Sequence, residues 1–237
     1  ATKFYSHTKK EDGDLIMFSN LYPSNITLNE LDMPTVEAGF QYMKLCDEPS
    51  IKFYHALLHL YEKNPKSMKY VEYGQGRLTL SSGEFRQVSE YCVEKYKCSP
   101  FGDKNISDEM VALLVKELGL SFTFKKSLNE WKMNGRPVLD KDWEETKFAK
   151  VLRLLRQKFN QEPYKQTLLL TSDSYMIEHV ARDKNWGDGH DGSGTNFLGK
   201  LLMVARYEIY HDVIVNDIDK DYMMTPMKQL YPEFYVK

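Results

Sequence analysis

Residues 183–206 read DKNWGDGHDGSGTNFLGKLLMVAR, a glycine-rich loop that runs directly into an apolar segment. Glycines alternate with polar residues in the loop, and glycine permits backbone angles and close approaches that other residues do not. The segment from Phe197 to Ala205 has the length and composition of a helix, and Thr195 or Asn196 is suited to be its N-cap. The stretch therefore predicts a polar loop followed by a core helix.

The same loop is a candidate ligand site. Backbone amides at a helix N-terminus can bind a phosphate or another anion. Trp186 offers a flat face for a ring, and Asp188 and Asp191 place carboxylates nearby. A surface turn that only starts the helix is the alternative, and the loop alone leaves both open.

The composition is that of a folded protein with one large domain or two small ones. The chain has 237 residues, 42% of them hydrophobic, and a net charge of −2, so any contact with nucleic acid must be local. Its three cysteines lack metal-ligand spacing and fit a reducing compartment. With no signal peptide or membrane span in the sequence, we expect a cytoplasmic protein without membrane contact, metal or cofactor.

Near the N-terminus, residues 4–5 and 16–18 are predicted to be short strands, followed by a segment that ends at Pro23. Ser19 and Asn20 in that segment need hydrogen-bonding partners if they are buried. Local turn bonds or a ligand could supply these partners.

A second candidate site lies on a predicted helix that starts at Thr35, after Pro34. Glu37, Gln41 and Lys44 then fall at positions i, i+4 and i+7, on one helix face. Glu37 and Lys44 would be about 10 Å apart along the axis, and they could bracket a sugar-sized ligand. The alternative is a solvated face with a weak ion pair.

The later segments predict structure more than chemistry. A long helix begins near Asp142 and carries an apolar stripe from Phe148 to Phe159, and a short helix is predicted through residues 177–179. The tail from His211 is rich in aromatic residues, so we expect it to pack back on the domain.

Taken together, these blocks resemble the NADAR family of N-glycosidases, named for NAD and ADP-ribose. In chain order, the matching blocks are FSNLYP (18–23), PTVE (34–37) with Phe40, Gln41 and Lys44, Gly135-Arg136 with Trp143, Lys158-Phe159, IEH (177–179), WGDG (186–189), NFLG (196–199) and Leu202-Met203. The resemblance covers roughly residues 4–48 and 131–209. One departure is Ala38, where the family usually has histidine.

The resemblance implies a single-domain, mainly α fold with a few short strands. The domain would span residues 1–210, with a probable insertion at 64–130 and a tail at 211–237 packed on the domain. It also implies hydrolysis of a ribose–nitrogen bond, which builds positive charge on the ribose carbon. Glu37 would stabilise that charge or activate water, Lys44 would form an imine with the opened sugar or hold a phosphate, and Asp188 would be a second catalytic carboxylate.

Further residues are expected to bind the substrate. Trp186 would stack on a base, while the loop amides, Arg136 and the helix end at Asn196 would take the pyrophosphate. The full predicted binding set is Phe18, Ser19, Asn20, Gln41, Arg136, Trp186, Gly187, Gly189, Asn196 and Gly199.

Three functions remain open on the sequence. The leading hypothesis is the removal of ADP-ribose from guanine, with ADP-ribosylated DNA or RNA as the partner. The second is hydrolysis of phosphorylated intermediates of riboflavin synthesis. The third is an ADP-ribose-binding module without catalysis, for which Ala38 is the best argument. The oligomeric state is not given by the sequence.

Overall fold

The structure is a computed structural model that describes residues 1–4, 15–20, 22–44 and 140–235. The chain divides into two compact units. The first consists of Ala1–Glu37 with Glu145–Lys237, and the second of Ala38–Glu144.

Helices make up most of the regular structure in the described residues. In chain order the elements are β1 (Thr2–Phe4), β2 (Pro23–Leu28), β3 (Leu31–Thr35), α1 (Val36–Tyr42), α2 (Trp143–Phe159), α3 (Tyr164–Leu169), β4 (Met176–Glu178), α4 (Phe197–His211), α5 (Lys220–Met224), α6 (Met227–Leu230) and a final 3-10 helix (Pro232–Tyr235). The prediction of a mainly helical fold with a few short strands is confirmed for this part of the chain.

Helices α2 and α4 supply much of the core of the first unit. The predicted stripe of α2 is buried from Phe148 to Phe159, because apolar residues three and four positions apart share one helix face. The ring of Phe148 meets the ring of Phe197 on α4 edge to face, with 4.8 Å between centroids. Helix α4 is the helix predicted from the opening stretch, and it begins at Phe197 as expected.

A hairpin of β2 and β3 packs beside α2 in the first unit. Side chains alternate between exposed and buried along β2, as a half-buried strand requires. Asn29 and Glu30 form the two-residue turn with φ of 50° and 65°, the left-handed backbone that such hairpins need. The side chain of Gln157 bonds to the backbone N–H and C=O of Thr27, which fixes the hairpin to the helix.

Because of the hairpin, α1 begins one residue later than the sequence predicts. Pro34 and Thr35 belong to β3, so the helix begins at Val36 and not at Thr35. Because α1 ends at Tyr42, Lys44 lies in the turn that follows the helix. The prediction that Lys44 is a helix residue on the same face as Glu37 is therefore wrong.

Two other short elements differ from the predictions. Residues 15–18 form a 3-10 turn instead of a strand, and residues 176–178 form strand β4 where a helix was predicted. Strand β4 pairs in parallel with β1, with Phe4 opposite Glu178. A local pattern does not reveal this pairing, since the two partners are more than 170 positions apart in the chain.

Candidate functional site

The glycine loop and the start of α4 hold each other through backbone hydrogen bonds. The amides of Thr195, Phe197 and Leu198 donate to the carbonyls of Lys184, Asn185 and Trp186, at 2.8, 2.9 and 3.1 Å. These amides were expected to bind a phosphate, but they are already satisfied within the chain. The helix start is therefore built to fix the loop.

Asn196 occupies the N-cap position of α4, yet its side chain does not cap the helix. Its backbone is left-handed, with φ of 55°, and its side chain turns to strand β4. There it accepts from the amide of Glu178 and donates to the carbonyl of Met176, both at 2.9 Å. Because Asn196 is fully buried, the predicted substrate contact is replaced by a structural one.

The glycines of the loop and of α4 also have a structural reason. A Cβ at Gly199 would lie 2.1 Å from the carbonyl oxygen of Met176, and a Cβ at Gly187 would lie 2.9 Å from that of Glu178. Gly189 has a φ of +69°. Gly199 and Gly187 let α4 and the loop approach β4 closely, and Gly189 has a backbone conformation that favours glycine, so a role in binding substrate is not needed to explain these three residues.

Asp188 lies at the centre of a hydrogen-bonding network and is fully buried. Its Oδ2 accepts from Tyr235 Oη at 2.9 Å and lies 2.8 Å from Nδ1 of His179, while its Oδ1 accepts from the His190 amide at 2.8 Å. The ring of His179 stacks on that of His190, with centroids 4.1 Å apart. These partners hold the Asp188 side chain in place, and its predicted catalytic role stays a prediction.

Glu178 is the residue that sequence reasoning missed. It ends strand β4, only 6% of it is exposed, and its Oε2 has no hydrogen-bonding partner among the described residues. Burial raises the pKa of Glu178 to about 8, with further contributions from the charges of Asp183, Glu37 and Asp188. The signal that could have identified Glu178 is a carboxyl group at the end of a buried strand. The sequence predicts a helix at residues 177–179, so this signal was not used.

Glu37 lies in the first unit, at the start of α1, and it contacts the segment predicted to bind substrate. Its amide donates to the carbonyl of Asn20 at 2.9 Å. The Oδ1 atom of Asn20 is buried without a hydrogen-bonding partner among the described residues, so Asn20 can accept a bond from a ligand. The predicted contact between Asn20 and a substrate stays a prediction.

The neighbours of Asn20 are structural. The carbonyl of Ser19 accepts from Nζ of Lys158 at 2.8 Å, and burial lowers the pKa of that lysine to about 7. Phe18 is fully buried and packs against Phe4 and Phe159, with centroids 5.6 and 6.2 Å away. Its ring belongs to the core and presents no surface to a substrate.

Trp186 is partly exposed, as a stacking residue would need to be. Its ring meets that of Phe197 edge to face at 5.7 Å, and its amide donates to the carboxylate of Asp183 at 2.8 Å. One edge of the ring is therefore anchored to α4, and the predicted contact with a base stays a prediction.

In the second unit, Lys44 contacts aromatic rings. Its ammonium lies 3.7 Å from the ring centroid of Phe40 and 5.5 Å from that of Trp143. This cation–π contact favours the charged amine. The side chain of Gln41 and the whole of Arg136 lie outside the described residues.

The described residues include no group of three or more His, Cys, Asp or Glu arranged to hold a metal. In the first unit, the arrangement can instead offer a protonated carboxyl group at Glu178 and a second acidic side chain at Glu37. Groups of this kind suit acid–base chemistry. No helix in the described ranges is long and apolar enough to cross a bilayer.

A comparison with protein families identifies the domain. The model of the NADAR domain matches residues 96–210. This part of the chain is similar to a NADAR domain. Its match begins inside the segment 64–130 that was predicted to be an insertion, and the predicted limits of the domain, insertion and tail stay predictions.

The proteins that are similar in sequence to this chain include two kinds of name. The N-glycosidase YbiA of Shigella flexneri serotype 5b (strain 8401) is 42% identical over 77 residues, which are 32% of this chain and 48% of that protein. A riboflavin biosynthesis protein of Vibrio vulnificus (strain YJ016) is 30% identical over 115 residues, which are 48% of this chain and 29% of that protein. The chloroplastic riboflavin biosynthesis protein PYRR of Zea mays is 35% identical over 100 residues, which are 40% of this chain and 16% of that protein. The chain thus spans about half or less of each relative's length.

A solved structure also resembles this chain. The NMR structure of the Escherichia coli protein YbiA aligns with a TM-score of 0.49 and 24% sequence identity. The alignment covers 89% of this chain and 85% of that one. The assignment of the domain rests on the sequence match.

Proposed function

We propose that the chain is an N-glycosidase that hydrolyses the bond between a ribose and a nitrogen atom. The observation that carries the proposal is the buried Glu178 carboxyl group, whose pKa of about 8 keeps it protonated at neutral pH. Cleavage of an N-glycosidic bond needs a proton donor for the departing nitrogen base, and a carboxyl group of this kind is one.

Glu37 has the complementary role in this proposal. Its charge is one of those that raise the pKa of Glu178, so the two groups interact within the first unit. An ionised Glu37 would stabilise the positive charge on the ribose carbon or activate the attacking water. Two carboxyl groups in different protonation states are what general acid–base hydrolysis of a glycoside requires.

The polar atoms near Glu37 suit a sugar. Asn20 Oδ1 and Glu178 Oε2 are buried acceptors that lack partners in the described ranges, and ribose hydroxyl groups are hydrogen-bond donors. A ribose hydroxyl group is the kind of donor that either atom could accept from. This supports a ribose-containing substrate and leaves the group beyond the ribose to be identified.

We propose that the substrate is ADP-ribose attached to guanine in DNA or RNA. Trp186 provides a partly exposed ring for a base. The amides at the start of α4 are satisfied within the chain, so this proposal does not use them to bind the pyrophosphate. A second candidate is a phosphorylated intermediate of riboflavin synthesis, which is favoured by the names of two relatives. A binding module without catalysis is the third.

The test is to incubate the full chain separately with ADP-ribosylated DNA and with phosphorylated intermediates of riboflavin synthesis, in water enriched in heavy oxygen. We expect mass spectrometry to detect one free nitrogen base or amine and a ribose product that carries the heavy oxygen. The substrate that is cleaved identifies the class. If neither is cleaved while free ADP-ribose raises the melting temperature, the protein is a binding module.

The Glu37→Gln variant tests the assignment of the catalytic carboxylate. The change keeps the shape and removes the charge, so we expect turnover to fall by at least about a hundredfold with little change in melting temperature. Glu30→Gln, in the exposed β2–β3 turn, is the matched control and should retain full turnover. Near-normal turnover by Glu37→Gln would refute the assignment.

A further inference from the structure

The C-terminal segment (residues 220–235) is attached to the glycine loop. The amides of Met227 and Lys228 donate to the carbonyls of Gly194 and Gly192, at 2.9 and 2.8 Å. The sulfur of Met227 also accepts from the side chain of Asn196 at 3.5 Å. All of this segment lies beyond residue 210, where the family match ends.

Tyr235, in the last helical turn of the segment, brings a hydroxyl group to Asp188. It donates to Oδ2 at 2.9 Å, the same oxygen that lies 2.8 Å from His179 Nδ1. Its ring lies over Gly192, where an added Cβ would be 2.8 Å from ring carbons. Burial and the hydrogen bond to Asp188 raise the pKa of Tyr235, so its hydroxyl group remains a donor near neutral pH.

Through Asp188, these contacts connect Tyr235 to His179, which follows Glu178 in the chain, and to the backbone of Glu178 itself. Asp188 is fully buried, and a buried carboxylate is held in place by the donors around it. Two of the donor groups, the His179 ring and the His190 amide, come from residues 179–190, and the third comes from the C-terminal segment. Asp188 also donates its amide to the carbonyl of Glu178 at 2.9 Å.

We propose that Tyr235 is a positioning residue of the N-glycosidase site, which makes the C-terminal segment part of that site. Its hydroxyl group fixes the rotation of the Asp188 carboxylate, which in turn orients the His179 ring and holds the end of β4 that carries Glu178. The proposal rests on the proposed function for its catalytic consequence, but the hydrogen-bonding role stands on the geometry alone.

The experiment compares Tyr235→Phe with Tyr231→Phe in the full chain. Tyr231 lies in the same segment, and its hydroxyl group bonds to that of Tyr222, so the control removes one tyrosine hydroxyl that does not reach Asp188. We expect Tyr235→Phe to lower kcat by about tenfold, since a hydrogen bond to a charged group is lost, and to change KM by less than about twofold. Tyr231→Phe should leave kcat unchanged. A purely structural role would instead lower the melting temperature and leave kcat per folded molecule unchanged.

A second measurement does not depend on activity. The His190 amide donates to Oδ1 of Asp188, so its hydrogen exchange reports how firmly the carboxylate is held. We expect exchange at His190 to be at least about threefold faster in Tyr235→Phe and unchanged in Tyr231→Phe.

The two measurements separate the two proposals. If the wild-type chain cleaves neither substrate, the proposed function fails, and the exchange at His190 still decides whether Tyr235 fixes Asp188. Equal exchange in all three proteins overturns the positioning role. Equal kcat in all three, with an active wild type, overturns its contribution to catalysis.

Discussion

At the scale of the single residue, two buried carboxyl groups of the first unit have different surroundings. Asp188 is bordered by the His179 ring, the Tyr235 hydroxyl and the His190 amide. Glu178 has one carboxyl oxygen without a partner in the described residues, and its neighbours include other acids. Hydrogen-bond donors around a buried carboxylate, as at Asp188, hold it in position. Burial close to other acids, as at Glu178, raises the pKa and favours the protonated form.

The protonated Glu178 makes the stability of the protein depend on pH. Its pKa is about 8 in the folded chain against 4.5 for an ordinary glutamate, so stability is greatest below pH 4.5 for this group and is lost as the pH rises through about 8. Between pH 6 and pH 9 we expect a loss of about 2 kcal/mol, or roughly 5 °C in melting temperature. Glu178→Gln cannot ionise, and its thermal melts should show a smaller loss.

Glu145→Gln is the control for that measurement. The hydrogen bond to Lys220 lowers the pKa of Glu145, so the effect of this group lies at acidic pH, with the opposite sign. The control should keep the wild-type slope between pH 6 and pH 9. An unchanged slope in Glu178→Gln would show that another group causes the loss.

Lys44 is the residue whose chemistry is least settled by its surroundings. An imine with the opened sugar needs a neutral amine, while the rings of Phe40 and Trp143 favour the charged one. If the covalent role holds, borohydride added during turnover should trap a sugar adduct that peptide mass analysis maps to Lys44. Lys44→Arg keeps the charge and should lose both the adduct and turnover. Turnover by Lys44→Arg, without an adduct in the wild type, would leave Lys44 with a binding or structural role.

At the scale of the element, α4 shows that tertiary contact overrides helix propensity. Alanine is a better helix former than glycine by about 1 kcal/mol. At Gly199, however, a Cβ would meet the carbonyl of Met176 at 2.1 Å and the side chain of Asn196 at 2.5 Å. Both neighbours are held by the hydrogen bond between them, so neither can easily give way.

We therefore expect Gly199→Ala to destabilise the protein by about 2 kcal/mol or more, despite the gain in propensity. Thermal melts should show a drop of roughly 5 °C. Tyr210→Ala changes an exposed position of the same helix, 76% accessible, and should cost far less. A Gly199→Ala protein as stable as the wild type would mean that β4 and α4 can separate without cost.

At the scale of the whole molecule, contacts distant in sequence join the C-terminal segment to the rest of the first unit. Nζ of Lys200, on α4, donates to the carbonyls of Tyr222, Met223 and Thr225, at 2.6, 3.0 and 2.8 Å. These carbonyls lie at the end of α5, where the last turn of a helix leaves acceptors that a buried ammonium can satisfy.

Lys200→Met should keep the bulk of the side chain and leave those carbonyls without this donor. We expect a loss of about 2 kcal/mol in the free energy of unfolding, measured by urea denaturation. Lys228→Met, an exposed lysine of the same segment, should change stability by less than about 0.5 kcal/mol. Equal stability of the two variants would contradict a role for Lys200 in holding the segment.

The sequence alone determined the elements whose signals are local. The stripe from Phe148 to Phe159 specified α2, and the apolar run after Asn196 specified α4, because a helix buries one face with a period close to 3.6 residues. The quoted blocks from Gly135 to Met203 lie within the residues that match the NADAR domain. The sequence also pointed to Glu37 and Asn20, which keep their predicted roles as candidates.

Only the tertiary structure decided what the buried polar residues do. The pairing of β4 with β1 turned residues 176–178 into a strand and buried Glu178. The docking of the C-terminal segment brought Tyr235 to Asp188, 47 positions away. A pKa and a hydrogen-bonding partner depend on which groups surround an atom in space, and those groups come from distant parts of the chain.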